Sequence, residues 1–282
     1  MYRYALLPLL LAASPAMAQV EDAETRIPDV EMPSTSITVG VGILTGPDYQ
    51  GSDDYRFIPG AAFRADFGDV EMLTRGLKLY VDVVPDSDAK VSFTAGPIAG
   101  LRFGRGDDVE DPIVALLPET GTAIELGGFA GVQVRQLTNP FDTLTARLDV
   151  THDVNGAHGS TIISPAVDFS TPLSRSAFAS LGASMDFVAD DYMDTYFGVF
   201  AEDLAAIDVG ELAPYDPDGG LKSATGTFVL GYSLEGDLRK GWALFGLVSY
   251  TRLMGDAADS PLVADRGSAD QWFGGGGIGY TF

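Results

Sequence analysis

"TLTARLDVTHD", residues 143–153, alternates by chemistry. The odd positions are Thr143, Thr145, Arg147, Asp149, Thr151 and Asp153, and the even positions through Val150 are Leu144, Ala146, Leu148 and Val150. One file is polar and the other apolar, the period-two pattern of a strand with two different faces. Its length suits a tilted strand crossing a bilayer, which takes about 9–11 residues.

The same pattern recurs in both directions along the chain. In Ala123–Arg135, Ile124, Leu126, Ala130, Val132 and Val134 oppose Glu125, Gln133 and Arg135. In Val91–Phe103, Val91, Phe93, Ala95, Ala99 and Leu101 oppose Ser92, Thr94 and Arg102. In Ala224–Glu235, Phe228, Leu230, Tyr232 and Leu234 oppose Thr225, Thr227, Ser233 and Glu235. Fainter alternation predicts strands at Ile37–Ile43, Phe57–Phe67, Leu77–Val83, Ile163–Phe169, Ala177–Ala189, Met193–Ala201, Trp242–Thr251 and Gln271–Phe282. Turn chemistry separates them at Gly68-Asp69, Asp86-Ser87-Asp88, Asn139-Pro140, Asn155-Gly156 and Gly236-Asp237. The sum is about twelve strands, with ten to twelve as the range.

Periodicity alone does not separate a soluble sandwich or lipocalin-like barrel, apolar inside, from a membrane barrel, apolar outside. Strand length, an even count, Arg and Glu on the polar files and an aromatic terminus favour the membrane. The fold expected is an all-β, transmembrane, antiparallel up-and-down β-barrel over residues 36–282. On its last strand Ile278, Tyr280 and Phe282 share one face, where lipid-facing aromatics form girdles. Such a terminus resembles the signal by which the barrel assembly machinery recognises its clients. Gly274–Gly277 allow close packing or a bend at closure.

Composition fits this reading. Residues 1–18 carry Arg3, an apolar stretch and Ala16-Met17-Ala18, the pattern of a signal peptide cleaved before Gln19, which leaves residues 19–35 as an N-terminal periplasmic segment. There is no cysteine, so disulfides and thiolate chemistry are excluded. With 17 basic and 40 acidic residues the net charge is −23, which argues against nucleic acid as a partner. No EF-hand spacing appears in the acidic stretches "PDYQGSDDY" and "PYDPDGG". Neither a metal nor another cofactor is expected.

Several stretches carry a family resemblance: "PDYQGSDDYRFIP" (Pro47–Pro59), "YFGVFAED" (Tyr196–Asp203), "APYDPDGGL" (Ala213–Leu221) and "LMGDAADSPLVADRGSADQWFGGGGIGYTF" (Leu253–Phe282). Together they resemble the MipA/OmpV family of outer-membrane proteins, with Asp259-Ser260-Pro261 and the aromatic terminus as the most specific part. The resemblance implies a cell outer membrane location among lipid and lipopolysaccharide. It also implies a non-enzymatic scaffold joining a lytic transglycosylase to a peptidoglycan-synthesising penicillin-binding protein.

Two other function classes have residues to support them. Arg64, Arg102, Glu125, Arg135, Arg147 and Asp149 are candidate lumen-lining residues, and mixed charge there suits either a small-solute channel or a narrow, internally paired lumen. His158-Gly159-Ser160 sets an imidazole near a hydroxyl, as a lipid hydrolase needs. Yet Asn155-Gly156 marks a turn, expected on the periplasmic side, and spacing identifies no third catalytic member, so no catalytic residue is assigned.

With both termini periplasmic, residues 46–54, 202–222 and 254–268 become outside loops, and 236–240 a short periplasmic turn. The long segment 104–121 then falls on the periplasmic side. It is a docking element, a plug, or the sign of a strand count off by one.

Overall fold

The alternating stretches become strands because one file of each can be buried against the barrel interior while the other meets lipid. The computed structural model describes residues 35–85, 89–106, 108–207, 210 and 212–282; the expected signal peptide and nearly all of the 19–35 segment lie outside them. In chain order the strands are β1 (Ser36–Pro47), β2 (Tyr55–Asp66), β3 (Glu71–Arg75), β4 (Lys78–Asp82), β5 (Val91–Arg102), β6 (Ala123–Arg135), β7 (Thr143–Asp153), β8 (Thr161–Pro172), β9 (Ala177–Val188), β10 (Gly220–Ser233), β11 (Gly241–Leu253) and β12 (Asp270–Thr281). Each pairs antiparallel with its chain neighbours, and β12 closes on β1 with Thr38 opposite Thr281 and Thr45 opposite Gly274. The order is closed, so every strand has a partner on both sides, as crossing a bilayer with strands requires.

The apolar file faces outward. Val41, Ile43, Phe57, Phe93, Leu126, Leu148, Leu181, Leu230 and Leu244 are all exposed, which only a lipid surround makes favourable on this scale. Aromatics mark both margins. Trp242, Tyr280 and Phe282 stack in sequence at centroid distances of 5.0 and 4.8 Å, and Tyr250 meets Trp272 at 4.9 Å nearer the other end. The glycines of β1 and β12 make room for inward aromatics: a Cβ on Gly40 or Gly277 would lie 2.9 or 2.7 Å from the Phe245 ring.

Two expectations need correction. Met193–Ala201 is not a strand: helix α1 (Asp190–Phe197) occupies most of it and α2 (Ala201–Ile207) follows. The buried residues Tyr192, Met193, Tyr196 and Phe197 recur at helical rather than strand spacing, and Asp190 and Asp191 in the first turn favour the helix dipole. Conversely, β3 escaped notice because five residues are too few for alternation to register; it joins β4 through Gly76, at φ +58°, and Leu77. The false strand and the missed one cancel in the total of twelve.

They do not cancel in topology. With β3 present, residues 103–122 follow β5 and lie at the same end as 48–54, 154–160, 189–219 and 254–269. The three longest connections, 103–122, 189–219 and 254–269, share one end, the extracellular end by the rule that outer-membrane barrels keep short turns in the periplasm. The 104–121 segment is therefore not periplasmic, and neither is the Asn155-Gly156 turn.

Candidate functional site

The polar files converge inside the barrel on two ion-pair clusters. Nearer the long loops, Glu125 of β6 is fully buried and receives Arg102 Nε at 2.5 Å, Lys78 Nζ at 3.1 Å and the Thr151 hydroxyl at 3.3 Å. Beside it, Lys222 Nζ lies 3.0 Å from Asp186 Oδ2, and Ser164 Oγ donates to Asp186 Oδ1 at 2.6 Å. Deeper in, Arg147 pairs with both Asp149 and Asp168, Arg75 reaches Asp168 at 3.3 Å, and the Tyr80 hydroxyl donates to Asp149 at 2.8 Å. Such pairs survive burial only when each charge has a partner.

Helix α1 seats on the first cluster. Tyr192 places its ring 5.3 Å from the Arg102 guanidinium and 5.2 Å from Lys222 Nζ, a cation–π bridge between the two acid-base groups. Its hydroxyl donates to Gln50 Oε1 at 2.8 Å, so one side chain joins the barrel interior to the β1–β2 loop.

The loops above form a cap with its own apolar core. Ile162, Val188, Tyr192, Met193, Tyr196, Phe197, Leu253, Ala257 and Val263 make one part. Tyr49, Val109, Val114, Leu117, Val199, Leu204, Leu212 and Leu262 make the other. The four stretches that carried the family resemblance meet here. Tyr49 donates to the Leu262 carbonyl at 3.0 Å, Val199 and Tyr215 exchange backbone hydrogen bonds, and the Tyr215 hydroxyl reaches the Asp256 carbonyl at 3.0 Å. Ser260, wholly buried, follows the short helix α3 (Asp256–Asp259), caps the short helix α4 (Pro261–Ala264) and donates to the Phe197 carbonyl at 2.6 Å, locking the end of α1. Arg266 closes the cap on Asp111, with Nη2 at 2.8 Å. Partial burial opposes ionisation of Asp111. The N–H groups of Val114 and Ile113 and the Arg266 guanidinium outweigh it and hold the carboxyl below its ordinary range.

Of the residues expected to line a lumen, Arg102 with Glu125 and Arg147 with Asp149 form the pairs just given. Arg64 pairs with Glu71, and Arg135 Nε donates to Gln133 at 2.8 Å. Lys78, Asp168, Asp186, Tyr192 and Lys222 escaped the sequence reading. Asp186 and Lys222 lie at the faint ends of strands, and Tyr192 had to be read on a helix.

His158 and Ser160 are both buried, at the extracellular end. The Ser160 backbone N–H donates to His158 Nδ1 at 3.2 Å, and Nε2 faces Glu125 Oε1 at 3.7 Å, beyond hydrogen-bond length. Among the described residues the Ser160 hydroxyl meets no hydrogen-bond partner. The imidazole-to-hydroxyl contact that activates a serine is missing. Among the described residues no group of His, Asp and Glu is arranged to hold a metal ion.

A closed barrel with an apolar belt, aromatic margins, a paired ionic interior and a loop cap at one end is a transmembrane β-barrel of the outer membrane. Within that class the chain belongs to the family of MltA-interacting protein MipA, whose model matches residues 39–282. The protein is accordingly located in the outer membrane. Among solved structures it is similar to the NanC porin (10% identity, TM-score 0.48, covering 86% of this chain and 98% of that one). It is also similar to the COG4313 outer membrane channel from Pseudomonas putida F1 (12%, TM-score 0.44, 88% and 95%). A third is the outer membrane channel DcaP of Acinetobacter baumannii (10%, TM-score 0.41, 88% and 97%). No curated protein gives a match.

Proposed function

We propose that this barrel is a non-enzymatic, non-conducting scaffold that engages a lytic transglycosylase from the outer membrane and holds it near a peptidoglycan-synthesising penicillin-binding protein. The observation that carries the reading is the match to a family described as MltA-interacting over nearly the whole barrel. Two features of the interior support a closed lumen: Arg64, Arg102, Glu125, Arg135, Arg147 and Asp149 line it as partnered groups, and the cap core fills its extracellular mouth. A periplasmic enzyme must then be met at the short-turn end, where Leu137, Phe141 and Leu173 are exposed. Ile278, Tyr280 and Phe282 serve as the assembly signal in this reading, and Phe282, 70% exposed, is open to a partner.

The test is a pull-down from detergent-solubilised envelopes with three proteins that all show heat-modifiable migration. These are the intact chain, a form shortened within 106–118, and Leu137→Asp with Phe141→Asp. Retention of the transglycosylase by the first two and its loss from the third supports the scaffold. Absence from all three, with a steady open state in planar bilayers, replaces it with a small-solute channel.

A further inference from the structure

The barrel wall is interrupted on one side. β2 pairs with β1 along its whole length, from Tyr55 opposite Pro47 to Asp66 opposite Ser36. On its other edge only Arg64, Ala65 and Asp66 pair with β3, because the β3–β4 hairpin is too short to follow it. Thr74 stands in for the next backbone partner: its Oγ1 accepts from the Phe63 N–H at 2.9 Å and donates to the Phe63 carbonyl at 3.3 Å. Beyond that point, alternation turns the N–H groups of Ala61, Phe57 and Tyr55 toward the same edge, and no hydrogen bond meets them there among the described residues. Pro59, the remaining member of the set, has no N–H to leave unmade.

This window has definite borders. The Arg56–Asp108 ion pair closes it toward the loops, the β2–β3 ladder closes it below, and Gly76-Leu77 forms the far side, held to β5 by the Leu101 N–H on the Leu77 carbonyl at 3.1 Å. It lies in the lipid belt, since Ala61 and Pro59 pair with Val41 and Ile43, each 64% exposed. Phe57 is 82% exposed on its outer rim. Ala62 points inward by register, opposite Gly40, and is nevertheless exposed.

Backbone N–H groups left unmet in hydrocarbon are strongly unfavourable, so an opening here needs an occupant or a use. An added strand is opposed by Pro59 in the middle of the edge, a standard device for blunting one. Along β1, β2 and β11 the inner wall beside the window is apolar, with Gly40, Gly42, Leu44, Ile58 and Phe245; Arg56–Asp108 and Arg64–Glu71 stand at its two ends, and the interior ion-pair clusters lie on β3 to β10. Lipid outside and an apolar wall inside are thus continuous through a gap edged by free N–H donors.

We propose that the window is a lateral portal through which the acyl chain of an outer-leaflet amphiphile enters the apolar half of the interior, its carbonyl-bearing head accepting from the open N–H groups of β2. The proposal is independent of the scaffold reading and rests only on the barrel being in a membrane.

Because the chain has no cysteine, single cysteines can carry a fluorophore at Ala62, at inward Thr227 on the fully paired β10–β11 wall, and at outward Leu230. In vesicles containing phospholipid with a nitroxide on its acyl chain, quenching at 62 should approach that at 230 and exceed that at 227. Binding of a dansyl-labelled undecanoic acid should weaken about tenfold in Ala62→Trp, which enlarges the inward, exposed side chain beside the window; heat-modifiable migration verifies folding. Quenching at 62 no greater than at 227, or binding unchanged in folded Ala62→Trp, overturns the portal.

Discussion

Arg102 Nε lies 2.5 Å from Glu125 Oε1, and the carboxylate that receives it is fully buried while also holding Lys78. One acidic group therefore answers two cations in the barrel interior. Glu125→Ala leaves both uncompensated, and removing one partner of a buried pair costs about 3–5 kcal/mol. Urea unfolding of the protein in lipid vesicles, followed by tryptophan fluorescence, should register that loss. A cost below about 1 kcal/mol would mean the site is well hydrated.

The cap should loosen in acid. Asp111 has a folded-state pKa below its unfolded value, so its contribution is present above the ordinary carboxylate pKa of about 3.9 and is lost as pH falls through the lower folded value. Proteolysis of the extracellular loops after brief exposure to decreasing pH should show the transition. Asp111→Asn should cleave more readily at neutral pH and lose the Asp111 share of the acid dependence.

Ser260 unites two helices through one hydroxyl, as N-cap of α4 and as donor to the Phe197 carbonyl. Ser260→Ala should cost about 1–2 kcal/mol from the cap and the orphaned carbonyl. The effect should be confined to the cap: faster loop proteolysis with the barrel's heat-modifiable migration unchanged.

On the outer face, Leu230 is exposed to lipid. Leu230→Arg should destabilise the folded barrel in vesicles by about 2–4 kcal/mol near the bilayer midplane and by less toward either margin. A negligible cost would place β10 differently relative to the bilayer.

Much of this molecule was legible as a sequence. Alternation in 123–135 and 143–153 marks β6 and β7 to the residue, because a two-sided strand writes its faces directly into chemistry. The outer belt was readable for the same reason, whereas the family was legible only as a resemblance carried by stretches such as Pro47–Pro59 and Leu253–Phe282. What the sequence could not specify depended on contacts between distant residues. Whether 193–201 is strand or helix turned on Tyr192, Met193, Tyr196 and Phe197 finding a cap to fill, and the five residues of β3 became a strand only because β2 and β4 flank them. Those two elements decide which end of the barrel holds residues 103–122 and His158. The tertiary structure also brought Lys78, Arg102 and Glu125 into contact and left half of β2 without a neighbour. Register and hairpin length settle both, and neither has a local signature, because hydrogen bonds between strands join residues that the chain keeps far apart.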